Sequence, residues 1–159
     1  MRAAFYDRLG SASDVLTVGE QPTPEPGPGE VRVRLATSGV NPSDWKARAR
    51  GRGGVIPFPL IIPQSDGAGT IDAVGDGVDG GRVGRDVWLM NGQWQRPFGT
   101  AAEYICMPAK YVIDLPAGAD KAEAACFGIP FLTAHRAVMF DGDVAGQTIL
   151  VQGGAGAVG

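Results

Sequence analysis

The chain has 159 residues, 44% of them hydrophobic and 19% charged, which suits a soluble globular protein with apolar material for one core. A net charge of -3 and a pI near 5.1, with the basic residues scattered, exclude an electrostatic footprint for nucleic acid or an anionic membrane. No apolar run is long enough to span a bilayer, and the N-terminus lacks the apolar core of a signal peptide, so a cytoplasmic protein is expected.

In chain order, residues 2–6 read as a first strand and Val15 to Glu20 as a second, with a polar turn between them. Pro22 to Gly29 is a stiff, exposed connector, because its prolines fix φ and remove donors. Glu30 to Thr37 alternates Val31, Val33 and Leu35 with Arg32 and Arg34, the pattern of a strand with one wet face. Asn41-Pro42-Ser43-Asp44 is a helix start: Asn41 can cap, Pro42 suits the first position, and Asp44 favours the positive end. Gly51, Gly53 and Gly54 keep that helix short. Phe58 to Pro63 is an apolar loop. Strands follow at Gly69 to Val74, Val87 to Met90, Thr100 to Met107 and Lys110 to Asp114. The 25 glycines and 12 prolines punctuate these short apolar runs, as tight turns between strands do.

From Asp120 the period changes. Asp120 and Glu123 stand at capping-box spacing, and the Ala-rich run after them is helical until Pro130, which restarts a second helix to about Phe140. Gln147 to Gln152 then reads as a short strand leading into a glycine-rich end. Residues 1–120 are thus expected to form a β-rich domain. Residues 121–159 are expected to supply connector helices and the first strand and glycine turn of a second domain. The two cysteines, Cys106 and Cys126, lack scaffold spacing and sit in apolar contexts, so a buried reduced thiol is the reading of each.

Gly154-Ala155-Gly156-Ala157-Val158-Gly159, preceded by Gly153, satisfies the G-x-G-x-x-G pattern. Its glycines allow a tight turn, close approach of backbone to a pyrophosphate, and close packing of helix on strand. Alone the pattern does not establish cofactor binding, since a plain turn in a glycine-rich chain satisfies it too.

Further stretches fall in a recognisable order: Pro24 to Val31, Gly39-Val40-Asn41-Pro42-Ser43-Asp44-Trp45-Lys46, Ser65-Asp66-Gly67-Ala68-Gly69, Gly99 to Tyr104, and Gly128 to Ala134. With the glycine motif they resemble the zinc-independent quinone oxidoreductase branch of the medium-chain dehydrogenase/reductase superfamily, across essentially the whole chain. The resemblance implies a mainly β GroES-like barrel as catalytic domain, followed by the start of an α/β Rossmann domain, with a cleft between them. It also implies hydride transfer from NADPH to a quinone or an α,β-unsaturated carbonyl, and a chain that is about half of a complete enzyme. A homo-oligomer is expected. Alternatives are an alcohol or aldehyde dehydrogenase of the same superfamily, and a non-catalytic GroES-like binding module.

Zinc-dependent relatives carry a Cys near the position of Asn41 and a His-Glu pair near Ser65-Asp66. This chain has neither, and no metal site is expected. Its one histidine, His135, reads as an ordinary helix residue. The resemblance places Asn41 and Thr133 beside the nicotinamide, and Gly153 to Gly159 at the phosphates. For Asn41 the plainer role is the helix cap, and for Thr133 a bond back to a helix carbonyl. Lys46 either stabilises an enolate or cofactor phosphate, or is a solvated surface lysine. Trp94 and Phe98 either wall a flat aromatic pocket or pack locally. Asp66 is expected to support a turn.

Overall fold

The computed structural model describes residues 1–51 and 53–159. Alternation of Val31 and Val33 with polar neighbours builds β3 (Glu30–Gly39), the strand around which the main sheet forms. To one side it pairs with β6 (Tyr104–Pro108). To the other it pairs with β4 (Asp66–Val74), followed by β5 (Asp86–Leu89) and β7 (Val112–Asp114). Every pairing is antiparallel, in the order β6-β3-β4-β5-β7. The inward residues Val31, Val33, Ile71, Val87, Leu89, Ile105, Met107 and Val112 make one buried cluster, the period-2 face that the alternation required. On the outer face Arg32 donates to Asp72 at 2.9 Å and to Glu25 at 2.8 Å, which fastens the proline-rich connector to the sheet.

The N-terminal strand β1 (Arg2–Phe5) pairs with β2 (Thr17–Glu20) in a separate two-stranded sheet. Isolated bridges join Ala3 to Ala102, Tyr6 to Ile61 and Ile62 to Phe98, and Tyr6, Val15 and Ile61 form a second small core. One turn of helix, α1 (Ala12–Val15), occupies the start of the expected second strand, because Val15 turns inward to that core.

Other boundaries move for local reasons. β4 begins three residues earlier than expected, so Asp66 belongs to the strand and pairs with Gly39 instead of supporting a turn. Thr100 to Glu103 is irregular, bonded to Gln64, Pro63 and Arg2 as the chain crosses between sheets. A 3-10 turn at Ala109–Tyr111 precedes β7.

The helix α2 spans Pro42–Arg50 and closes at Gly51, whose φ of +67° suits glycine. Beyond the sheet, α3 (Lys121–Ala124) is capped by Asp120, which accepts from the amides of Ala122 and Glu123. A wide turn over Phe127–Phe131, broken at Gly128, leads through Pro130 into α4 (Leu132–Val138). A second helix does follow Pro130 as expected, but the first ends at Ala124, well short of it, because the chain kinks at Gly128.

The expected strand at 147–152 does not form. Those residues are exposed and bond only locally, because no strand among the described residues offers them a ladder. No helix among the described residues is long and apolar enough to cross a membrane.

Candidate active site

The end of β3, the start of α2, the start of β4 and the turn before α4 meet around one carboxyl group. Asp66 is fully buried. Its Oδ2 accepts from the side-chain Nδ2 of Asn41 and from the backbone N–H of Ile129, each at 2.8 Å. Its Oδ1 is also buried and has no hydrogen-bond partner. Its backbone carbonyl accepts from the Thr100 hydroxyl at 2.7 Å, and that hydroxyl lies 2.7 Å from Ser38.

Asn41 is buried at the N-terminus of α2, where its backbone N–H donates to the Asp44 carboxylate at 2.8 Å. Burial pushes the Asp44 carboxyl up to about 6, opposed by the bond from the Asn41 amide and aided by the nearby charge of Asp66. Burial also raises Asp66, against the bonds from Ile129 and Asn41 that favour its ionised form.

Two glycines make this meeting possible. A Cβ on Gly128 would lie 2.0 Å from Asp66 Oδ1, and one on Gly39 would lie 2.5 Å from the carbonyl oxygen of Ala125. Neither the spacing of Asp66 nor that of the glycines announced this cluster. The signal that could have found it is Asn41-x-x-Asp44 followed by an acidic residue at the head of a strand.

Asn41 lines a cavity of about 890 Å³ with Pro42, Ile129, Ala134 and the C-terminal segment, including Gly153 and Gly156 to Gly159. Thr133 lines a neighbouring cavity of about 670 Å³ with Met90, Asn91, Gly128 and Arg136. The two share Ile129, Ala137 and Asp141, so Asn41 and Thr133 stand on either side of one wall. Gly153, at φ +77°, opens a turn in which Gly156 donates to its carbonyl at 2.9 Å, and no helix follows within the motif.

The remaining candidates lie elsewhere. Lys46 is exposed, 5.6 Å over the Trp45 ring, and lines neither cavity. Trp94 is half-exposed and borders neither, whereas Phe98 lines a third cavity of about 290 Å³ with Ile62, Arg96 and Tyr104. The two aromatics therefore do not share a wall with Asn41. His135 is an exposed residue of α4, with its ring 6.4 Å from that of Phe131. Cys106 is buried, with burial pushing its thiol up to about 12, but Cys126 is exposed on the turn before Phe127, contrary to the expectation of a buried thiol. Among the described residues no group of three or more His, Cys, Asp or Glu is arranged to hold a metal ion.

An antiparallel sheet of this order, crossed back to an N-terminal hairpin and followed by a helical connector, is the architecture of a GroES-like catalytic domain. Residues 27–117 match the alcohol dehydrogenase GroES-like domain, and the chain belongs to that family, within the medium-chain dehydrogenase/reductase superfamily. It is 31% identical, over all of its length, to 2-methylene-furan-3-one reductase of Solanum lycopersicum, of which it covers 42%. It is 35% identical over 79% of its length to the quinone oxidoreductase of Homo sapiens, covering 37% of that protein. An alcohol dehydrogenase superfamily protein from Novosphingobium aromaticivorans superimposes with a TM-score of 0.85 at 32% identity, over 99% of this chain and 48% of that one. A mycobacterial protein solved with NADPH superimposes with a TM-score of 0.75 at 29% identity, over 87% of this chain and 40% of that one. The chain thus spans less than half the length of each of these relatives.

Proposed function

We propose that the complete protein is a zinc-independent, NADPH-dependent reductase that passes hydride to a quinone or an α,β-unsaturated carbonyl. The observation that carries the reading is the placement of Asn41 and the glycine turn on one cavity. The names of the quinone and furanone reductases to which the chain is similar favour this acceptor class. The division at about residue 120 belongs to the same reading: β sheet before it, and the approach to a nucleotide domain after it.

The residues present suit a dinucleotide. The glycine segment from Gly153 to Gly159 has no side chain beyond Ala155, Ala157 and Val158 to block a pyrophosphate, and it lies at the surface, with the Gly156 and Gly159 amides bonded to the carbonyls of Gly153 and Gly156. When bound, the nicotinamide supplies the hydride. The chain's own part is to orient. Ile129, Ala134, Val138, Leu150 and Val151 add apolar groups to the lining of the Asn41 cavity, with Leu150 and Val151 open to solvent in this chain. One N–H of the Asn41 amide is engaged by Asp66, and its second N–H is a donor for an oxygen that gains negative charge as hydride arrives. Thr133 offers a hydroxyl from the adjoining wall. Lys46 lies outside the cavity, so its part is confined to contacts at the solvent side.

Asn41→Ala in the full protein is expected to lower turnover more than it weakens cofactor binding. A melting curve separates the loss of the helix cap, typically about 1 kcal/mol. Unchanged turnover in a folded variant leaves Asn41 as a cap alone. A second reading, oxidation of an alcohol, draws on the 32% identity and TM-score of 0.80 to a solved NAD-dependent alcohol dehydrogenase. Activity with alcohols and NAD, and none with quinones or enones and NADPH, would select it.

A further inference from the structure

We propose that Asp66 is a positioning residue for the reducing site, a buried carboxyl that holds the Asn41 amide and the Ile129 turn through a single oxygen. The inference rests on the assignment of Asn41 to the reaction, and its test separates the two.

Three sequence-distant segments converge on Asp66 Oδ2: its own strand β4, Asn41 before α2, and Ile129 in the turn before α4. Burying a carboxyl without partners is costly, so these bonds are what make its fully buried place tenable. Both donors belong to cavity walls. Asn41 lines the larger cavity, and Ile129 lines both. One atom therefore fixes the rotamer of the candidate reacting side chain relative to the wall that separates it from Thr133.

The fit is close on the other side as well. Oδ1 lies against Gly128, where an added Cβ would come within 2.0 Å, so the turn cannot carry a side chain there and keep this approach. Oδ1 itself makes no bond. An amide at position 66 can keep its oxygen in the Oδ2 place and accept both donors, with its nitrogen where Oδ1 was. The two substitutions Asp66→Asn and Asp66→Ala thus have opposite expectations; Asn also fills the space of Asp, so the state of the Asn41 amide is what separates holding that amide from filling space.

In the full protein Asp66→Ala should lower turnover about 100-fold with little change in cofactor KM, because misplacing an orienting group acts on the reacting geometry. Asp66→Asn should stay within about threefold of the parent. The pair Asn41→Ala with Asp66→Ala should lose no more turnover than Asn41→Ala alone, since both act through one amide. An independent readout is the Asn41 side-chain amide in the NMR spectrum. The proton bonded to Asp66 should exchange slowly with solvent in the parent and in Asp66→Asn. That signature should vanish in Asp66→Ala.

If Asp66→Ala does not fold, the parent spectrum still decides: an Asn41 amide with two freely exchanging protons overturns the proposal. Losses that multiply in the double variant, or an Asn41 signature unmoved in a folded Asp66→Ala, overturn it too. A parent protein that oxidises no NADPH with any quinone or enone, yet shows the Asn41 signature, removes the functional reading and leaves the positioning of the amide standing.

Discussion

At the scale of single residues, the site is governed by burial of acids beside glycines. In the folded chain Asp44 keeps its proton up to about pH 6, against an ordinary value of 3.8. The folded state therefore binds more protons than the unfolded state between those values. The contribution of this group is fully present below 3.8 and is lost as pH rises through about 6. Asp66 is raised as well and acts in the same direction. Asp86 and Asp114 are held low, chiefly by bonds from Lys121 and Arg85, so their contributions are lost only at more acidic pH. Urea denaturation is expected to show greater stability at pH 5 than at pH 7.5, by on the order of 1–3 kcal/mol. Asp44→Asn, which keeps an acceptor for the Asn41 amide, should shrink that difference to the share of Asp66. An undiminished difference in the variant would assign it away from Asp44. Gly128→Ala should cost about 2 kcal/mol or more, because its Cβ would meet the Asp66 carboxyl at 2.0 Å. Equal urea midpoints for Gly128→Ala and the parent would show that the turn gives way freely.

At the scale of elements, β3 and β4 join with shifts of register at Arg32/Val33 and Leu35/Thr37. Such irregularities bend the pair and bring backbone against backbone. Gly69 sits at this approach, where an added Cβ would stand 2.1 Å from the Arg34 carbonyl oxygen. Gly69→Ala is expected to destabilise the sheet by about 2 kcal/mol or more. Gly80→Ala, where an added Cβ meets nothing within 4 Å, should stay within about 0.5 kcal/mol. Matching midpoints for the two variants would mean that β3 and β4 separate at little cost. Elements with strong local patterns were legible in the sequence. The alternation of β3, the Asn41-Pro42 start of α2, the Asp120 cap of α3 and the restart at Pro130 all lie close to their expected places. Helix α1 was not, because its one buried residue, Val15, turns inward to a core built from Tyr6 and Ile61.

At the scale of the whole molecule, the ordered sheet gives way to an exposed C-terminal stretch. Leu150 is 93% exposed and Phe140 68%. Residues 153–159 form exposed turns in which the Gly156 and Gly159 amides bond to the carbonyls of Gly153 and Gly156 rather than standing free for a pyrophosphate. The 159-residue chain is therefore expected to bind NADPH negligibly and to show no reductase activity. Calorimetry should detect no binding, and sedimentation should show self-association that covers the exposed apolar residues. Micromolar affinity in a monomer would show that the cofactor is held elsewhere in the fold. Amides of residues 141–159 should exchange with solvent faster than those of β3 and β4, as measured by hydrogen exchange.

The sequence by itself determined the β-rich sheet, the inward face of β3, the Asn41 start of α2, the Asp120 cap of α3 and the order of motifs that marks the family. These follow from local rules: period-2 alternation, capping chemistry and the backbone limits of proline. Only the tertiary structure decided that Asp66 is a strand residue joining Asn41 to Ile129. It also decided that Trp94 and Phe98 stand apart from Asn41, that Cys126 is exposed, and that 147–152 forms no strand. Each depends on what lies opposite in space. A carboxyl is tenable in a core only when distant donors reach it, and a strand exists only beside another strand.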